Sequence, residues 1–139
     1  MSVLELSVQI KNIPGQLTQL TAVLAEANIS LLGIAASSAG KSGWVRLVVD
    51  NTKIASEALE DCGFDIETSE AVAIQIAPTA DHLDTALRVL SEARINIDYI
   101  YTCTVPAPDS TIIILGTQSP SKAESLLAKA HITIAAIKN

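Results

Sequence analysis

Along the first residues apolar and polar side chains alternate. Leu4, Leu6, Val8 and Ile10 point one way; Glu5, Ser7 and Gln9 point the other. Period two predicts a half-buried strand over residues 3–10. From residue 14 the spacing changes. Leu17, Leu20, Leu24 and Ala27, flanked by Val23, share one helical stripe, which predicts a helix over 14–27 that Asn28 ends. Strands are expected over 29–36 and 44–49, separated by a turn from Ala39 to Gly43 whose glycines supply flexible φ. A helix over 52–62 places Ile54, Ala55, Ala58, Leu59 and Cys62 on one face. A short strand over 65–69 closes the series.

The pattern then starts again. Shifted by 66 residues, the sequence matches itself: Gln9-Ile10 falls on Gln75-Ile76, Leu17 on Leu83, Val23-Leu24 on Val89-Leu90, Glu26-Ala27 on Glu92-Ala93, Ile29 on Ile95 and Ile34 on Ile100. Val48-Val49 then falls on Ile114-Leu115. Such self-similarity marks a duplicated module, with the joint near residues 69–71. In the second copy Val72, Ile74 and Ile76 alternate in a strand. A helix is expected from Ala80 to Arg94, a strand over 95–104, a stiff turn from Val105 to Asp109 and a strand over 111–115. Ser119-Pro120 opens a helix as N-cap and first-turn proline, and Ile132, Ile134 and Ile137 close the chain.

Each copy thus reads strand, helix, strand, strand, helix, strand. The fold class is α+β: two tandem ferredoxin-like βαββαβ units, residues 1–69 and 70–139, with antiparallel sheets and helices on one face.

Composition narrows the partners. Lys and Arg number 9 against 15 Asp and Glu, and aromatic residues are 3% of the chain. Nucleic acid is excluded as a partner, because no basic surface neutralises phosphates and few rings stack on bases. The core must be aliphatic. No apolar run is long enough to cross a membrane, no signal peptide is visible, and the two cysteines lack CxxC spacing, which suits a reducing cytoplasm.

Catalytic groupings are missing. His82 and His131 have no partner at metal-ligand spacing, so neither a metal nor a cofactor is expected. Asp81-His82-Leu83-Asp84 points its side chains in different directions on a helix. Cys62 and Cys103 read as small core residues. No GxSxG or phosphate-cradling glycine loop occurs. The segment with site character is Lys11-Asn12-Ile13-Pro14-Gly15-Gln16-Leu17. A helix start offers unpaired N–H groups and partial positive charge, Gly15 lets a ligand approach the backbone, and Asn12 both donates and accepts. The same residues also describe an ordinary capped helix start. Gly33, interrupting an apolar strand, marks close approach of a ligand or another backbone.

Asn12-Ile13-Pro14-Gly15-Gln16-Leu17, with Leu20, Leu24, Ala27, Asn28-Ile29 and Gly33-Ile34, resembles the opening of an ACT domain, and the resemblance spans nearly the whole chain as two tandem units. It implies an amino-acid-binding regulatory module, not an enzyme. The ligand would lie between the first loop of one unit and the second strand of a neighbouring one. Carried over by position, the ligand-binding residues are Asn12, Ile13, Pro14, Gly15, Gln16, Leu17, Leu32, Gly33 and Ile34. The second copy has Pro78-Thr79-Ala80-Asp81-His82-Leu83 at its loop and Tyr99 where Gly33 stood. Asp81 would compete with a ligand carboxylate, leaving His82 and Tyr99 as candidates for side-chain specificity.

The expectation is a sensor that binds a free amino acid and signals through assembly, as a homodimer, or through a partner. Two alternatives stand beside it. One is a regulatory subunit that contacts a metabolic enzyme through a sheet face or edge, with Trp44 and Arg46 as contact residues. The other is a small acylphosphatase-type hydrolase, which would want an arginine in the loop where only Lys11 accompanies Asn12.

Overall fold

The computed structural model describes residues 3–104 and 109–139. Among them the element order is β1 (Val3–Lys11), α1 (Gln16–Glu26), β2 (Leu31–Ala39), β3 (Ser42–Val49), α2 (Thr52–Asp61), β4 (Asp65–Ile76), α3 (Ala80–Glu92), β5 (Tyr99–Cys103), β6 (Thr111–Gly116), α4 (Pro120–Lys129) and β7 (Thr133–Ile134). The chain is α+β and divides into two compact units: Leu4–Ser69 with Asn139, and Glu70–Lys138 with Val3.

In the first unit β3 pairs antiparallel with β1, setting Leu6 opposite Leu47 and Val8 opposite Val45, and with β2, setting Ile34 opposite Leu47. The apolar positions of β1 and β3 pack on Leu20 and Leu24 of α1 and on Ala55 and Leu59 of α2. Both helices therefore cover the same sheet face. Each fully buried leucine contributes roughly 1.5–3 kcal/mol, so Leu6, Leu20, Leu47 and Leu59, all at 0% exposure, anchor this core. The other end of the chain is tied in locally. Asn139 exchanges two hydrogen bonds with the Leu4 backbone, and its main-chain oxygen accepts from Thr52 N–H at 2.9 Å.

In the second unit β6 pairs antiparallel with β4 and with β5, and β7 adds to β4. Val72, Ile74 and Leu115 pack on Ala86 and Leu90 of α3 and on Ala123 and Leu127 of α4.

The structure corrects several expectations. The strands expected over 65–69 and from Val72 to Ile76 are one continuous β4, because no glycine or proline interrupts residues 65–76. The internal match changes offset at the hairpin. Leu6 faces Leu47 and Val72 faces Leu115, so Val72 answers Leu6 at 66 residues while Leu115 answers Leu47 at 68. Beyond the hairpin Val48 therefore answers Gly116, not Ile114. The turn expected from Val105 falls outside the described residues up to Pro108. Glu5, expected on a polar face, is fully buried, and Cys62, expected in the core, is exposed because α2 ends before it.

Among the described residues the four helices stop the same way. Asn28, Gly63, Arg94 and His131 take φ of 56, 86, 58 and 63°. The next residue's N–H reaches back to a carbonyl in the last turn, as Phe64 does to Leu59 and Ile132 to Leu127, both at 3.0 Å. This is the Schellman stop, and it favours glycine at the left-handed position.

Candidate functional site

The loop between β1 and α1 is held by its own backbone and by the β2–β3 turn. Asn12 donates its backbone N–H to Lys41 O at 3.0 Å and its side-chain Nδ2 to Gly40 O at 2.9 Å. Its backbone N–H and one hydrogen of its side-chain amide are thus committed to structure. Gln16 folds back, its Oε1 accepting from Lys11 N–H at 3.2 Å. The helix cap is Gly15, at φ 91°, so α1 begins at Gln16 rather than at Pro14, and no side chain caps it. A Cβ at Gly15 would meet nothing within 4 Å. The first N–H groups of a helix have no intrahelical partner. Here no acidic residue occupies the first turn, so their partial positive charge is uncompensated. Ile13 and Leu17 flank the opening at 56% and 44% exposure.

The strand half of the predicted site lies on β2. Its ladder with β3 shifts between Leu31 and Gly33, which places Leu32 in a bulge. Gly33 is buried opposite Val48, while Ile34 is 42% exposed. None of the described cavities of this unit is lined by both the loop and Leu32, Gly33 or Ile34. A cavity of about 580 Å³ does lie beside the start of α1, with Lys11, Gln16, Gln19, Trp44, Phe64 and Asp65 in its wall. Of the residues predicted from sequence, only Gln16 lines it. Phe64 and Asp65 escaped the sequence reading, although Gly63, which turns the chain back after α2, was the available signal.

On the sheet, Arg46 donates to Glu5 at 3.2 Å and stacks over Trp44 at 4.7 Å. Glu5 is fully buried, so the pair is a structural feature of this sheet.

The second unit treats the same loop differently. Thr79 caps α3 without a capping side-chain bond, and its hydroxyl instead holds the Asp81 carboxyl below the usual carboxylate range. Asp81 is thus a fixed anion in the helix's first turn. His82 lines a cavity of about 420 Å³ that also includes His131. Tyr99 does not line it. The Tyr99 ring stacks with Tyr101 at 6.2 Å and lies against Gly116, its cross-strand partner, so closely that no Cβ would fit there. Burial pushes the Cys103 thiol up, which makes it a poor nucleophile. Among the described residues no group of three or more His, Cys, Asp or Glu is placed to hold a metal, and no helix is long and apolar enough to cross a membrane.

Comparison with known proteins places this geometry. A family profile described as an ACT domain pair matches residues 1–139. A crystal structure of a Bacteroides thetaiotaomicron protein superimposes with a TM-score of 0.90 at 25% identity, covering 99% of this chain and 94% of that one. The ligand-free regulatory subunit of aspartate kinase from Thermus thermophilus gives 0.64 at 17% identity, covering 93% and 92%. The corresponding subunit from Thermus flavus gives 0.62 at 16%, covering 94% of each. At these identities the last two show a shared fold. No curated protein matches.

Proposed function

The chain belongs to the ACT domain pair family, and from that premise we propose that it is a non-catalytic regulatory protein that binds a free amino acid at the entry to α1. One observation carries the reading: α1 starts at a glycine in the left-handed conformation, with open space above it and neither a side-chain cap nor an acid in its first turn. A carboxylate there accepts from backbone N–H groups, bonds that are stronger for being charge-assisted.

Asn12, Ile13, Pro14, Gly15, Gln16 and Leu17 form one wall. Leu32, Gly33 and Ile34 of a neighbouring copy form the other, which makes the working unit a homodimer. The exposure of Ile13, Leu17 and Ile34 supports this, since each would be covered on assembly. The side-chain oxygen of Asn12 is its acceptor for an ammonium group. Free Cys62 and Cys103 suit a reducing cytoplasm.

Thermal-shift and calorimetric screening of the proteinogenic amino acids tests the claim. A ligand at a hundred times its Kd stabilises by about 2.7 kcal/mol. Absence of any shift at millimolar concentration sinks it. The fold shared with aspartate kinase regulatory subunits motivates a second reading, a subunit that acts on a metabolic enzyme through contacts alone. Co-purification of an enzyme with no amino-acid response would favour that one.

A further inference from the structure

The amino-acid reading leaves the cavity at His82 and His131 unused. It opens where β4 ends, α3 begins and the chain leaves α4. His82 and His131 line it together with Gln75, Thr85, Ser110 and Thr133. Its size, about 420 Å³, is in the range of small-molecule sites.

The chemistry of the lining is one-sided. No described residue in the wall is Asp, Glu, Lys or Arg, so the groups able to carry charge there are the two imidazoles. Gln75 Nε2 donates to Ser110 Oγ at 3.2 Å, leaving that amide one more hydrogen and Ser110 its own. Thr85 spends its single proton on Asp81 O at 2.9 Å. Asp81 precedes His82 but does not line the cavity. A cation would find no carboxylate in this wall. A structural metal would want a third and fourth protein ligand, and the described residues hold no such group. An oxyanion would find imidazole, amide and hydroxyl donors.

The first unit supplies an independent comparison. Its own cavity lies at the same place in the module, with Gln9, Gln16, Gln19, Gly63 and Phe64 where the second has Gln75, His82, Thr85, His131 and Ile132. The hollow therefore belongs to the scaffold, and the histidines are what the second copy adds. His131 stands at a left-handed helix stop, φ 63°, where the first unit has Gly63. The same stop holds Asn28 and Arg94 after α1 and α3, so this position accepts a side chain, and in the second unit it presents an imidazole to the cavity.

We propose that this cavity binds a small oxyanion, a carboxylate or phosphate group, between the imidazoles of His82 and His131, with Gln75 and Ser110 completing the donors. The site is separate from the entry to α1, and its ligand need not be an amino acid.

The test follows the imidazole resonances of the full chain while inorganic phosphate and, separately, succinate are added in buffer freed of divalent metals. Saturable shifts at both histidines in the millimolar range are expected with one probe or both. Phosphate alone would assign a phosphate group, succinate alone a carboxylate. His131→Gly installs the first unit's residue at a position that favours glycine, and His82→Gln does the same for the helix. Each should weaken binding about ten-fold or more, as loss of one hydrogen bond to a charged group requires. No saturable shift with either probe at tens of millimolar, or unchanged affinity in both variants, overturns the proposal.

Discussion

In the first unit Glu5 and Arg46 meet on the sheet at 3.2 Å. At the same two places the second unit holds Ala71 and Ile114, both at 0% exposure. One module thus carries a partly buried ion pair where its twin carries a methyl group and a branched hydrocarbon. The twins differ again at their first helix. α1 begins at left-handed Gly15 with no acid in its first turn, whereas α3 begins behind Thr79 with Asp81 in its first turn. They differ a third time where the second helix ends, at Gly63 and at His131. At the ion pair and at the helix stop the backbone path is kept and the side-chain chemistry is exchanged, while at the first helix the caps themselves differ, left-handed Gly15 against extended Thr79. Duplication of this fold constrains the aliphatic positions between sheet and helices and leaves helix termini and the far sheet face free to diverge.

The largest break in the comparison comes from the ion pair. Arg46→Met removes one partner of the buried Glu5 carboxylate, a change that costs up to about 3–5 kcal/mol. The double variant Glu5→Ala with Arg46→Ile imports the second unit's solution and should return most of that loss. Urea denaturation reads both as midpoint shifts. A single variant that loses less than about 1 kcal/mol would place the pair among exposed bridges, which contribute little.

The entry to α1 comes next. Gly15→Asp puts a side chain and a negative charge over the helix start, copying the acidic first turn of α3. Amino-acid affinity should fall by roughly ten- to a hundred-fold, the equivalent of one charge-assisted bond. The backbone supplies the control. At φ 91° any residue with a Cβ is strained, so Gly15→Ala carries the strain without the charge. Calorimetry on the pair separates the two. Equal losses in both variants would assign the effect to the backbone, and unchanged affinity in Gly15→Asp would remove the proposed site.

Much of this was legible in the sequence, for a physical reason. Leu6, Val8, Leu20, Leu24 and Leu59 repeat at strand and helix periods because they face a core, and their counterparts repeat with them. The α+β class, the duplication and the strand–helix order follow from those positions. The ladder offset did not follow, since two residues added in a hairpin change no periodicity. Glu5 read as a surface residue because alternation reports which face a side chain takes and not whether that face is covered. At the site, the sequence pointed to the loop from residue 12 to 17, but it could not show that Asn12 donates to the turn at Gly40 and Lys41. Nor could it show that Phe64 and Asp65, distant in sequence, share a cavity with Gln16. Those depend on where α2 stops, and a left-handed glycine signals a stop without saying what the returning chain will meet.

The smallest effect sharpens the comparison at that stop. Gly63 and His131 occupy the same left-handed position after α2 and α4, at φ 86 and 63°. The other two stops hold Asn28 and Arg94 at φ 56 and 58°, so the position favours glycine without demanding it. Exchanging them tests whether stability was given up for the imidazole. Gly63→His should cost about 1 kcal/mol, and His131→Gly should gain up to a similar amount, the left-handed penalty being partly offset by the greater freedom of glycine in the unfolded chain. For a chain of this length that is a shift in Tm of a few degrees in each direction. Opposite signs would mean that the second unit holds histidine against its own stability. A loss on His131→Gly would instead mean that the imidazole stabilises the stop itself.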